Sequence, residues 1–290
     1  MSAEPGSQTG TPTWDCQYER LVYTAQQGHR PGVVLVGSSL IFRGVHARPF
    51  SAAAGVPTET VLNLGLPGTG VAIHTWFATE LVVPLLDPPT LVVGVSARCA
   101  NVSSMSVRKA DARMAHSALP GFVASGGLSA AIDAGRTKRA FAAVRRPDLD
   151  YGDFVAPGWT QRPRWPSECH QIRDIDWTVW DQDPADVART AEGSYTDFDL
   201  GPGFGLLADM IDGVPGRVVL LSVPITPQLR AATPGGYGAF TDRLEGLGLE
   251  VLDASELLDG EMGRYRDAYH LNVYGARYLS RWLGRQLGGL

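Results

Sequence analysis

Val33-Val34-Leu35-Val36-Gly37-Ser38-Ser39 is the stretch on which the fold turns. Four consecutive aliphatic residues leave no polar face, so the run suits a strand buried on both sides, as in a parallel sheet. Gly37 ends it, and two serines follow. The same unit recurs along the chain. Val61-Leu62-Asn63-Leu64 runs into Gly65-Leu66-Pro67-Gly68, and Leu91-Val92-Val93-Gly94-Val95 runs into Ser96-Ala97-Arg98. Arg217 to Val223 is stopped by Pro224, and Leu249 to Asp253 is the last such run. Helical spacing fills the gaps: Trp14 to Gln27, Gly70 to Val83 with Pro84 as its stop, Gly203 to Ile211, Phe240 to Leu247, and an amphipathic Val273 to Leu287. Strands alternating with helices predict an α/β three-layer sandwich around a central, mostly parallel sheet of about five strands. Ligands bind such sheets at the carboxyl ends of the strands.

Residues 1–13 are polar and rich in Gly, Pro, Ser and Thr, and read as a disordered tail. Residues 14–290 read as one α/β domain with an insertion at about 103–201, where the alternation lapses. Val107 to Arg146 is Ala- and Arg-rich and helical in places. Asp148 to Glu192 carries Trp159, Trp165, Trp177 and Trp180 among prolines and charges. It reads as largely irregular and bordering the site entrance as a lid, with a purely structural excursion equally open.

Composition narrows the function classes. The formal net charge of −5, with no long run of Lys or Arg and only modest clusters at Arg145-Arg146 and at Arg162 and Arg164, argues against a nucleic-acid partner. Cys16, Cys99 and Cys169 are an odd, sparse set without CxxC spacing, which argues against a disulfide framework or a structural zinc site. No stretch reaches eighteen apolar residues, and the start lacks the pattern of a secretory signal, so a cytoplasmic protein without a membrane span is expected.

Three short elements carry the candidate chemistry. Ser39 follows the first strand at a tight Gly turn, where an exposed serine acts as a nucleophile if a base reaches it. An ordinary turn or a phosphate-holding loop is the alternative. Asp267 lies three residues before His270, ahead of the last helix, a spacing at which the carboxylate can hold Nδ1 and leave Nε2 as general base. Asn63-Leu64-Gly65-Leu66-Pro67-Gly68 offers backbone N–H groups to a developing oxyanion, or is simply a tight turn. Cys99 reads as a buried small hydrophobe, and His74 as structural.

Taken together, these elements resemble the SGNH (GDSL-like) hydrolase superfamily. Gly37-Ser38-Ser39-Leu40 resembles its Gly-Asp-Ser-Leu block, with Ser38 in the Asp position. Asn63-x-Gly65-x-x-Gly68 resembles the second block, and Asp267-x-x-His270-Leu271-Asn272, with Gly275, resembles the last. The closest likeness is to the branch with Gly-Ser-Ser in the first block and Pro-x-x-Pro after a strand, here Pro224-Ile225-Thr226-Pro227. That branch includes envelope proteins of teichoic-acid alanylation and alginate acetylation.

The resemblance implies a serine esterase or acyltransferase working through an acyl-Ser39 intermediate, with His270 and Asp267 completing the triad. It implies Ser39 and Gly68 N–H as oxyanion donors. The substrate it implies is a small-molecule or glycan acyl group, with an acyl carrier as a further candidate donor. It implies no metal and no organic cofactor. The third block, Gly-x-Asn-Asp, is absent: the strand runs into Ser96-Ala97-Arg98-Cys99-Ala100-Asn101, so Arg98 or Asn101 is the candidate replacement. A non-catalytic SGNH-like binding module, its third block degraded, is the alternative. A flavodoxin-like phosphate binder is a third reading, and it leaves Asp267 and His270 unexplained.

Overall fold

A computed structural model describes residues 27–101, 178–195, 201–233 and 236–288, with Gln17, Arg20, Leu21, Thr24 and Ala25 ahead of them. The five aliphatic runs form the five strands of one sheet: β1 (Val33–Val36), β2 (Val61–Asn63), β3 (Thr90–Val95), β4 (Arg217–Ser222) and β5 (Glu250–Asp253). Every neighbouring pair is parallel, in the order β2-β1-β3-β4-β5. Every residue of β1 and β3 is buried, as strands covered on both faces require. Edge strand β5 is exposed at Glu250 and Asp253 and half-buried between them, with no fully buried residue.

Helices cover the sheet in two groups. Helices α1 (Ser39–Gly44) and α2 (Ala47–Ala54) follow β1 and pack against the closing helix α10 (Val273–Gln286), which comes after α8 (Pro227–Ala231) and α9 (Gly236–Gly246). Helix α3 (Val71–Phe77) packs against α7 (Gly201–Gly213). Right-handed crossovers explain the division. The chain steps from β1 outward to β2 and then back across to β3, so successive connections lie on opposite faces, giving a three-layer α/β sandwich.

The helix after Gly70 does not stop at Pro84. Beyond α3 the chain makes a π-helical turn, Ala78–Val82, and resumes as α4 (Val83–Leu86) with Pro84 in its first turn. Val83 N–H bonds to Ala78 C=O, five residues back, and the wide turn makes room for the proline ring. The N-terminal helical residues guard the β2 edge. Arg20 donates to Asn63 C=O at 3.0 Å, and Gln17 donates to Gly65 C=O at 3.0 Å. Burial pulls the Arg20 guanidinium down to about 10.

Of the stretch expected to be largely irregular, residues 148–177 lie outside the described residues, and only its end, from residue 178, is seen to depart from irregular chain. Pro184–Tyr195 is a helix, α6, whose entry is fixed by Asp183 Oδ1 accepting from Ala185 N–H at 2.9 Å. Trp180 is buried, and its backbone N–H donates to Tyr265 C=O at 2.9 Å. Trp159, Trp165, Trp177 and the tail 1–13 lie outside the described residues. No helix among the described residues is long and apolar enough to cross a membrane.

Candidate active site

The strand order 2-1-3-4-5 reverses direction between β1 and β3, and a ligand crevice is expected there. Ser38 and Ser39 leave β1 at this point, and α5 (Ala97–Ala100) begins just after β3. Between them lies a cleft of about 190 Å³.

Ser39 is the first residue of α1. Ser38 is the buried N-cap, its Oγ accepting from Leu40 N–H at 3.3 Å. Gly37 has a φ of +152°, and a Cβ there would lie 2.5 Å from Ile41 Cγ1. The same Ile41 Cγ1 sits 2.0 Å from where a Cβ on Gly94 would be. The α1 helix is therefore pressed onto the ends of β1 and β3 by one isoleucine over two glycines. Asn63 ties it to β2, with Nδ2 donating to Ile41 C=O (2.8 Å) and Val45 C=O (2.6 Å), and Oδ1 accepting from Gly65 N–H.

Ser39 Oγ lies 2.9 Å from His270 Nε2, and His270 Nδ1 lies 3.0 and 3.1 Å from the two oxygens of Asp267. A carboxylate only accepts, so Nδ1 carries the proton and Nε2 accepts from the serine hydroxyl. Burial pushes the Asp267 carboxyl up. Its hydrogen bond to His270, the charge of His270 and the N–H groups of Tyr269 and His270 outweigh that, and hold it at about 2. Asp267 is thus ionised at any ordinary pH.

The loop carrying the pair is fastened from several sides. Ala268 N–H donates to Asp186 Oδ2 of α6 at 2.9 Å, and Ala268 C=O accepts from Thr226 Oγ1 at 2.9 Å. Asn272 caps α10 by accepting from Tyr274 and Gly275 N–H, and its Nδ2 reaches Gly263 C=O at 2.7 Å. The tail of the insertion therefore buttresses the His270 loop from outside. Nothing in the spacing of Asp186 signals this, whereas Thr226 falls inside the quoted Pro-x-x-Pro.

Gly68 lines the same cleft as His270, with a φ of +76°, the left-handed region that favours glycine. Among the described residues, neither Ser39 N–H nor Gly68 N–H has a hydrogen-bond acceptor. The sequence-derived candidates after β3 separate. Arg98 lines the cleft, while Asn101 is fully buried at the end of α5 and does not.

Three further residues reach the cleft that the sequence did not single out as functional, or singled out otherwise. Tyr269 shares a 2.8 Å hydrogen bond with Ser96, the buried N-cap of α5, and its ring meets that of His270 edge-on at 5.2 Å. Cys99 is a buried free thiol 3.7 Å from the Tyr269 hydroxyl. Thr69 donates to Leu66 C=O and accepts from His74 Nε2–H at 2.8 Å. His74 is fully buried, and burial drives its pKa down to about 3, so it is neutral. Among the described residues its Nδ1 has no partner.

Compared with models of protein families the chain matches none, and no curated protein matches it. The functional reading rests on the chemistry of the site itself.

Proposed function

We propose that this chain is a serine esterase or acyltransferase of SGNH type, acting through an acyl-Ser39 intermediate. The observation that carries the reading is the unbroken series Ser39 Oγ, His270 Nε2, His270 Nδ1 and Asp267, at 2.9 and 3.0 Å. The N–H groups of Ser39 and Gly68, which have no acceptor among the described residues, support it.

In the first half-reaction Ser39 Oγ attacks the acyl carbonyl carbon while its proton passes to His270 Nε2. Ionised Asp267 stabilises the imidazolium that forms. Negative charge builds on the carbonyl oxygen, where the N–H groups of Ser39 and Gly68 receive it. The tetrahedral adduct collapses, the bond to the leaving oxygen breaks, and His270 returns the proton to that oxygen. In the second half-reaction water or an acceptor hydroxyl attacks the acyl-Ser39, loses its proton to His270, and Ser39 leaves and regains one. The cleft is below the roughly 300–1,000 Å³ usual for drug-sized ligands, which favours a short acyl group.

A fluorophosphonate probe tests the reading directly. The native chain should label on Ser39, located by peptide mass spectrometry, and Ser39→Ala should not label. If the native chain stays unlabelled and cleaves no activated ester, the non-catalytic binding module takes this reading's place.

A further inference from the structure

We propose that Arg98 recognises an anionic substituent, so that the substrate class is a short acyl ester that also carries a carboxylate or a phosphate. The inference rests on the acyl-Ser39 reading and adds the charge of its substrate.

Arg98 stands in α5, just past the end of β3, and lines the same cleft as Ser39, Gly68 and His270. It is half-buried, and its guanidinium carbon lies 4.8 Å from the centroid of the Tyr269 ring. Stacking on a ring orients a guanidinium but leaves its five N–H donors unused. Among the described residues Arg98 has neither a hydrogen-bond acceptor nor an ion-pair partner.

Other half-buried arginines of the chain are differently placed. Arg20 bonds to Asn63 C=O, Arg230 to Ile225 and Ser255 C=O and to Asp259, Arg264 to Glu261, and Arg266 to Asp267. A cation held partly out of water is costly unless something pairs with it. Among the described residues no Asp or Glu lines the cleft. The nearby carboxylate, Asp267, is already engaged by His270 and Arg266. The partner that Arg98 lacks among the described residues is one a substrate can bring, and its planar fork fits a carboxylate or phosphate through two parallel hydrogen bonds. The oxyanion of the reaction has its own donors in Ser39 and Gly68 N–H.

The charge can lie on the acyl side or on the alcohol side of the ester, and matched pairs distinguish the two. On the alcohol side, 4-acetoxybenzoate is compared with its neutral amide, 4-acetoxybenzamide. On the acyl side, mono-4-nitrophenyl adipate is compared with 4-nitrophenyl hexanoate, with spontaneous hydrolysis subtracted. One arm should show kcat/KM higher for the anion by about ten- to a hundredfold, the worth of a charge-assisted hydrogen bond. In Arg98→Met, which keeps an apolar stem over Tyr269, that ratio should collapse towards one. Arg98→Lys should keep part of it, and added salt should erode it.

Three results would overturn the proposal: no preference for the anion in either arm, a preference that survives Arg98→Met, or equal loss on both members of a pair. The last would make Arg98 an oxyanion donor. Calorimetric binding of the same pairs to Ser39→Ala reads the charge preference without turnover. A chain that binds the anionic member selectively through Arg98 but resists fluorophosphonate would therefore refute the catalytic reading alone.

Discussion

Acidifying the protein should weaken it through His74, and replacing His74 with Gln should remove that weakness. His74 is 1% exposed, and burial holds its pKa at about 3, well below the ordinary 6.5. In the unfolded chain it titrates near 6.5. Above that pH it is neutral in both states and its titration costs nothing. Below it the unfolded chain takes up a proton that the folded chain refuses, so stability falls by about 1.4 kcal/mol for each pH unit until the folded group titrates. From about pH 7.5 to about pH 4.5 the loss comes to roughly 2.7 kcal/mol. Glutamine stays neutral throughout, and its amide can donate to Thr69 as Nε2–H does. Urea unfolding at several pH values in that range gives the difference in stability between native chain and His74→Gln. Burial also depresses His46, but that residue is common to both proteins and cancels. Asp267, held at about 2, also cancels. A difference that stays constant within about 0.5 kcal/mol across the range would mean that His74 takes its proton inside the folded protein, and would refute the argument.

Ser39→Ala and His270→Ala should each abolish turnover of an activated ester, and the double variant should be no worse than either, because the residues act as a unit. Near-additive losses in steady-state kinetics would break the unit apart. Asp267→Asn should keep the fold and lower kcat by about a thousand- to ten-thousandfold, since an amide can hold the imidazole in the wrong tautomer. A loss under tenfold would count against that role. Gly68→Ala should cost about 1–2 kcal/mol in stability, because φ is +76°, together with a fall in kcat larger than any change in KM. An unchanged urea unfolding midpoint would show that the turn carries no such strain.

Much of the fold could be read before any coordinates, because its strands are buried on both faces. Val33–Val36 and the β3 run have no polar side to confuse their period, and their bounds in the structure differ from the sequence reading by at most one residue. Helix ends were less legible. The passage of the chain through Pro84 depends on a π-helical turn, and local propensity does not encode that. At the site, Ser39, Asp267 and His270 could be picked out because each lies beside a strand end or helix start. What could not be read was depth. Arg98 and Asn101 are three residues apart, and only packing decides that the first lines the cleft while the second is buried. Tyr269 was hidden by its neighbours, and Asp186 belongs to a helix whose docking on Ala268 is a long-range contact.

The seating of α1 has a consequence for redesign. Ile41 rests on Gly37 and Gly94, where no side chain could be tolerated, and Gly65 meets the backbone of Phe42, its Cβ position 2.4 Å from the Phe42 nitrogen. The serine is thus located from beneath, by bare backbone on three strand ends. Arg98 lines the cleft from α5 and takes no part in that seating, whereas Thr69 is buried and bonded to Leu66 C=O, whose own N–H bonds to Gly37 C=O. A library built at Arg98 could change what the cleft accepts while the reactive oxygen stays put. A library at the three glycines would scatter the oxygen before any new preference could be selected.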